Sequence, residues 1–98
     1  MKLNLFNKKV SFKDAPNTLC FTCCHILDKN HPIRYVSHDE DGAWQFLCGE
    51  THILEEARIV SLSEISRIDR NIVELSNLKC GECAEFINDK WVIRKKDR

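Results

Sequence analysis

The alternation of bulky and small or polar residues predicts a first β-strand over Thr18 to Leu27, which contains the stretch "LCFTCCHIL". Further strands are predicted over Ile33 to Ser37 and Ala43 to Cys48. The segment between these two, "HDEDG", ends in Asp-Gly, a pair that tolerates positive φ and is typical of hairpin turns. The second and third strands are therefore predicted to form an antiparallel hairpin.

The pattern changes to helical spacing after a short predicted strand over Ala57 to Val60. Ser61 precedes Glu64 by three positions, which is the spacing of a capping box at a helix start. Apolar residues then recur at helical intervals, at Leu62, Ile65, Ile68, Ile72 and Leu75. A second short helix is predicted over 71–78. A closing hairpin is predicted from strands over 84–87 and 91–94, joined by "NDK".

This order of strands, helices and strands predicts an α+β fold: a small antiparallel sheet with one or two short helices packed on one face. The length of 98 residues predicts a single domain, 1–98, in which 1–17 form a lead-in segment and 94–98 a basic tail. The apolar runs are too short for a membrane-spanning helix, and "MKLNLFNKKVSF" lacks the apolar core of a secretory signal. We therefore expect a cytoplasmic protein.

The charges are unevenly distributed although the net charge is zero. Residues 1–13 carry +4, residues 94–98 carry +3, and the middle carries −7. An acidic surface of this kind can steer a basic partner, although charge runs are often only solvated surface. The predicted contacts with a protein partner are Asp39, Glu40, Asp41, Glu55 and Glu56. A nucleic-acid partner is not expected, because the aromatic residues lie in acidic or apolar segments.

Six cysteines in a reducing compartment argue against a disulfide framework. Two C-x-x-C pairs, Cys20/Cys23 and Cys80/Cys83, suggest a four-cysteine zinc site, and His25 or Cys24 could replace one thiol. The alternative is that the cysteines fill ordinary core positions as small hydrophobic residues. On a strand, Cys20 and Cys23 point to opposite faces, so they can chelate together only if the chain turns there.

A catalytic cysteine is the third interpretation of these residues. Cys24 and His25 are adjacent, and adjacent residues of a strand point apart, so they cannot form a nucleophile–base pair with each other. A thiol enzyme would need a histidine from elsewhere in the chain.

"DGAWQFLCG", Asp41 to Gly49, resembles a stretch found in small bacterial domains that are grouped with immunity proteins of polymorphic toxin systems. The similarity extends to "YVSH", Tyr35 to His38, and to "LSEISRIDRNIVEL", Leu62 to Leu75. The family often has a proline after the aspartate of the last segment, whereas this chain has Arg70 after Asp69. The resemblance implies a compact α+β domain without catalysis that binds and neutralises a cognate toxin.

Together these observations predict a non-enzymatic binding protein with no cofactor, whose partner is a protein such as a toxin. The alternative is a zinc-stabilised structural module that uses Cys20, Cys23, Cys80 and Cys83. The two hypotheses differ in whether the cysteine pairs meet in the fold.

Overall fold

A computed structural model describes residues 12–50 and 53–96. Within these ranges the strands are β1 (Leu19–Cys23), β2 (Tyr35–His38), β3 (Trp44–Leu47), β4 (Ala57–Ser61), β5 (Glu82–Ile87) and β6 (Lys90–Lys95). The α-helices are α1 (Cys24–Lys29) and α2 (Leu62–Ile68), and short 3₁₀ helices span Leu54–Glu56 and Arg70–Leu75.

The strands form one sheet in the order β4-β1-β3-β2-β5-β6, which confirms the predicted α+β class. The sheet is larger than predicted and is mixed, because β1 and β3 are parallel while the other neighbours are antiparallel. After β1, the chain passes through α1 to β2, which leaves space for one strand between β1 and β2. β3 follows β2 through a hairpin and fills this space, so it runs parallel to β1.

Both predicted hairpins are present. In the β2–β3 hairpin, Val36 lies opposite Phe46, and Gly42 has a φ of +94°, a left-handed conformation that glycine adopts without a steric penalty. In the β5–β6 hairpin, Asn88 and Asp89 both have positive φ, as a two-residue type I′ turn requires. These turns explain why local sequence predicted the pairing correctly.

The first strand is shorter than predicted, because β1 ends at Cys23 and α1 begins at Cys24. The start of α1 has no sequence signal, since the N-cap residue Cys23 makes no side-chain hydrogen bond to the helix. Burial of Ile26 in the core holds α1 against the sheet, and Asn30 ends it in a left-handed conformation. The predicted strand alternation therefore does not apply to Cys24 and His25.

The predicted start of α2 is confirmed. The Ser61 hydroxyl accepts a hydrogen bond from the backbone N–H of Glu64 at 3.1 Å. Asp69 caps the following 3₁₀ helix by accepting from the N–H of Asn71 at 3.0 Å. This second helix spans Arg70–Leu75, so it is shorter than the predicted 71–78 and has 3₁₀ geometry.

The helices cover one face of the sheet and leave the other open, except where the paired Ser37 and Cys83 are 0% and 1% exposed. The covered face buries Cys20, Thr22, Val36, Trp44, Phe46 and Ala84, each at most 1% exposed. Ile26, Leu62, Ile65, Ile72 and Leu75 from the helical segments belong to the same core. The strand pairs place Phe21, Gln45 and Ser37 on the opposite face.

The ends of the described chain contribute to the fold. Residues 1–11 of the predicted lead-in and 97–98 of the predicted tail lie outside the described residues. Phe12 packs edge-on against Trp44, with ring centroids 5.0 Å apart. Arg94 and Lys95 belong to β6, and Lys96 forms an ion pair with Asp39 at 2.7 Å.

Candidate functional site

The two C-x-x-C pairs do not come together. Cys20 and Cys23 lie on β1, whereas Cys83 lies on β5 and Cys80 in the turn before it. β3 and β2 separate β1 from β5, which at the usual strand spacing is about 14 Å. One zinc ion requires sulfur atoms within about 4 Å of each other, since each Zn–S bond is about 2.3 Å. The predicted four-cysteine ligand set therefore cannot hold one ion in this fold.

A different group of residues meets where three strands have adjacent ends. β1 and β3 are parallel and Phe21 lies opposite Gln45, so the carboxyl ends of both strands lie at the same end of the sheet. β4 begins at this end of the sheet, because Ala57 pairs with Cys23. Residues that end β1, follow β3 or precede β4 therefore come together.

We call Cys23, His25, Cys48 and Glu56 the strand-end cluster. One candidate ligand atom from each of Cys23, His25 and Cys48 lies within 4.8 Å of the other two. The Cys48 Sγ is 3.4 Å from the His25 Nδ1, and the His25 Nε2 is 3.5 Å from the Glu56 Oε2. Cys24, His25 and Glu56 form an overlapping group within the same distance limit. The histidine thus links the thiols to a carboxylate.

Both thiols of the strand-end cluster are buried. Cys23 and Cys48 are each 1% exposed. Burial raises the pKa of the Cys48 thiol; the backbone of Glu50 opposes this by hydrogen bonding, and the neighbouring Cys23 thiol adds to the increase. The cluster has the arrangement of a thiol enzyme, with Cys48 as nucleophile, His25 as base and Glu56 as acid. The Cys48 thiol is buried and its raised pKa favours the protonated form, so it is a poor nucleophile.

Only part of the strand-end cluster is predicted from the sequence. Cys23 was a predicted ligand and His25 an alternative one, whereas Cys48 was assigned only to a strand. Its position just before Gly49, at the end of β3, is a signal only once β1 and β3 are known to be parallel.

The other cysteines have different environments, and none of the six forms a disulfide. Cys20 is buried on β1, where burial, followed by the charge of Asp14, raises its pKa to about 11. Cys83 is buried on β5, while Cys80 is exposed. The core interpretation therefore fits Cys20, whereas Cys83 is buried on the opposite face, where it pairs with Ser37.

Cys80 lies beside a histidine at the opposite end of the sheet from the strand-end cluster. Its Sγ is 3.6 Å from the His38 Nε2. The His38 Nδ1 is 2.8 Å from the carbonyl oxygen of Leu78, so we assign the proton to Nδ1, which leaves Nε2 as an acceptor. The ring of His38 also stacks on Trp44 at 3.9 Å, which fixes its orientation.

Cys80 is expected to react with iodoacetamide before the other cysteines. It is exposed, whereas Cys20, Cys23, Cys48 and Cys83 are each about 1% exposed and Cys24 is partly buried. Peptide mass mapping after short labelling times measures the order, with Cys80→Ser as the control. Equal labelling rates at Cys80 and Cys83 would contradict this expectation, and slow labelling of all six would remove the thiol-enzyme hypothesis.

The five predicted acidic contacts do not form one surface. Asp39, Glu40 and Asp41 lie in the β2–β3 turn, at the opposite end of the sheet from Glu55 and Glu56. Asp39 accepts hydrogen bonds from Ser37, Gln45 and Lys96 within the molecule. Asp41 accepts from the N–H of Ala43, and Glu56 contacts His25.

The open face of the sheet carries a group of exposed apolar side chains. We call Leu19, Phe21 and Ile59 the open apolar patch; they are 67%, 46% and 61% exposed. Phe21 and Ile59 lie directly opposite each other on β1 and β4. Leu47 and Ala57, with Phe21, line a shallow depression of about 360 Å³ beside the patch.

Comparison of the chain with protein-family models, with curated proteins and with solved structures found no match. In the described part of the chain, every helix is too short or too polar to cross a membrane.

Proposed function

We propose that this chain is a non-enzymatic binding protein that captures a protein partner, as the resemblance to immunity proteins implies. The observation that carries the proposal is the open apolar patch. Leu19, Phe21 and Ile59 project together from a sheet face that the helices do not cover. Contiguous apolar surface of this kind often marks a protein interface, because its exposure to water is unfavourable.

The patch differs from the rest of the same sheet face. On β2 and β5 that face carries Tyr35, Ser37, Cys83 and Glu85. Its exposed apolar side chains there, Ile87 and Val92, lie beside an ion pair in which Glu85 is 3.7 Å from Arg94 of β6. Complete burial of a large apolar side chain contributes about 1.5–3 kcal/mol. A partner therefore gains most of its binding energy at the β4–β1 half of the sheet.

The two sheet edges also differ, and this defines the kind of partner. β6 carries Lys90, Arg94 and Lys95, and charges of this kind discourage pairing with another strand. β4, the other edge strand, has one charged residue, Arg58, whose guanidinium donates to the carbonyl oxygens of Glu55 and Ala57. We propose that the partner adds an extended apolar segment along β4.

An acidic residue lies beside one end of the proposed partner segment. Glu55 is exposed and lies just before β4, next to the patch. A basic residue at the matching end of the partner segment would complement Glu55. Glu55 is one of the five predicted acidic contacts, so the proposed interface keeps part of that prediction. The acidic turn at Asp39–Asp41 is at the other end of the sheet and is not part of this proposed interface.

The experiment uses a photo-crosslinking amino acid placed at position 59 or, as a matched control, at position 93. Ile93 is 52% exposed on β6, so it resembles Ile59 in type and exposure, but it lies on the charged edge strand and, paired with Ala84, on the other face of the sheet. We expect one partner to crosslink from position 59 in the cells of origin and none from position 93. Crosslinking of the same partner from both positions would contradict an interface at β4.

Ile59→Ser and Phe21→Ser are expected to weaken binding of that purified partner by at least about tenfold, as loss of a central apolar contact does. The free energy of unfolding should change by less than about 0.5 kcal/mol, since both side chains are exposed. Titration calorimetry and urea unfolding measure the two effects. Ile93→Ser serves as the control, and unchanged affinity in Ile59→Ser would reject the proposal.

A further inference from the structure

We propose that Cys23, His25 and Cys48 bind one Zn²⁺ ion at the end of the sheet, at a site that adjoins the open apolar patch, since Cys23 and Phe21 line the same depression. The ligand set differs from the one that the C-x-x-C spacing suggested. It is defined by the parallel pairing of β1 and β3, which brings Cys23 and Cys48 together from positions 25 residues apart.

The donor atoms match the chemistry of zinc. Two thiolates and an imidazole are soft to borderline ligands, which favour Zn²⁺ over Mg²⁺ or Ca²⁺. In a tetrahedral site with Zn–S near 2.3 Å and Zn–N near 2.1 Å, the sulfur and nitrogen atoms lie about 3.6 Å apart. The 3.4 Å between the Cys48 Sγ and the His25 Nδ1 is close to this value.

Glu56 holds the histidine in a metal-binding orientation. A histidine that binds a metal through one ring nitrogen usually donates its other N–H to a carboxylate or carbonyl oxygen. The His25 Nε2 is 3.5 Å from the Glu56 Oε2, which leaves Nδ1 directed towards the thiols. Glu56 is itself fixed, because its Oε1 accepts a hydrogen bond from the N–H of Ile53 at 3.1 Å.

Regular secondary structure positions the three proposed ligands. Cys23 belongs to β1 and Cys48 follows β3, while His25 is on the first turn of α1. The fourth tetrahedral position is left to water, because Cys24 groups with His25 and Glu56 and not with the other two thiols. Binding of the ion displaces the two thiol protons to solvent, so affinity falls as the pH falls.

The competing interpretation is that both thiols are core residues and that Cys48 donates a hydrogen bond to His25. Burial to 1% exposure is compatible with either interpretation. Only the metal site predicts stoichiometric zinc and a selective effect of these three residues among all the cysteines and histidines.

The experiment removes metal from the full-length protein with a chelator under reducing conditions and then titrates Zn²⁺ alone against a chromophoric competitor. We expect one zinc ion per chain. Cys23→Ser and Cys48→Ser should weaken binding by more than about 100-fold, and Glu56→Gln by about 10–100-fold, the usual effect of losing a partner of a ligand. Cobalt substitution should give the thiolate charge-transfer band of a tetrahedral site.

Cys20→Ser is the matched control, because Cys20 lies on the same strand and is also 1% exposed. It should retain zinc, as should Cys80→Ser. Circular dichroism checks folding, and His25→Gln provides a variant at a side chain that is 19% exposed if a cysteine variant unfolds. Absence of stoichiometric zinc, equal loss in Cys20→Ser, or full retention in folded His25→Gln would overturn the proposal.

Discussion

Trp44→Ala is expected to lower the free energy of unfolding by about 3–5 kcal/mol, the usual cost of removing a buried aromatic side chain. Trp44 is 1% exposed on the covered face of the sheet. Its ring contacts Phe12 edge-on, stacks on His38 and lies 5.8 Å from Phe46. A small domain has about 5–15 kcal/mol of stability in total, so the loss is large. Urea unfolding followed by circular dichroism measures it.

Two controls separate the effect of volume from that of the indole N–H. The Nε1 atoms of Trp44 and Trp91 are buried and make no hydrogen bond within the described residues. Trp44→Phe, which removes this unpaired group and keeps an aromatic ring, should therefore cost less than Trp44→Ala. Trp91→Ala should also cost less, because Trp91 is only partly buried on edge strand β6. Equal losses in all three variants would contradict this account.

Asp39→Asn is expected to lower the free energy of unfolding by about 1–3 kcal/mol near neutral pH. Burial alone would raise the pKa of Asp39. The hydrogen bonds from Lys96, Ser37 and Gln45 lower it by more than burial raises it, so the pKa is below its usual 3.8. The Asp39 carboxylate therefore stabilises the fold above the unfolded-state pKa, and this contribution is lost as the pH falls through the lowered native pKa.

The urea midpoint measured from neutral pH down to about pH 2, below the unperturbed aspartate pKa, checks this dependence. Wild type should lose stability at the acidic end, and Asp39→Asn should lose less because it has no carboxylate to protonate. Asp41→Asn is the control, since the Asp41 carboxylate lies in the same turn and accepts an exposed hydrogen bond from the N–H of Ala43. An identical pH profile for Asp39→Asn and wild type would show that the pair with Lys96 contributes nothing.

Local sequence signals predicted the local elements of the fold. The Asp41-Gly42 turn produced the β2–β3 hairpin, and Ser61 produced the start of α2, because each signal acts within a few residues. The boundary between β1 and α1 was missed because Cys23 provides no side-chain cap. The core position of Ile26, which favours the helix there, depends on residues distant in sequence.

The strand-end cluster could not be predicted for a similar reason. C-x-x-C spacing favoured Cys20 with Cys23 and Cys80 with Cys83, but spacing describes only neighbours in sequence. Cys48 joins Cys23 through a parallel pairing that no local turn encodes. The predicted acidic contacts were separated by the same topology, since β3 places the β2–β3 turn and the start of β4 at opposite ends of the sheet.

The parallel pairing also affects the order in which the sheet can assemble. β2 pairs with β3, and β5 with β6, across short turns, whereas β1 and β4 have no hairpin partner in the described chain. Phe21 must reach Gln45, and Leu19 must reach Ser61, and loop-closure entropy costs about 0.6 kcal/mol for each doubling of loop length. The half of the sheet that carries both proposed binding sites therefore depends on contacts that the chain can make only after closing its longer loops.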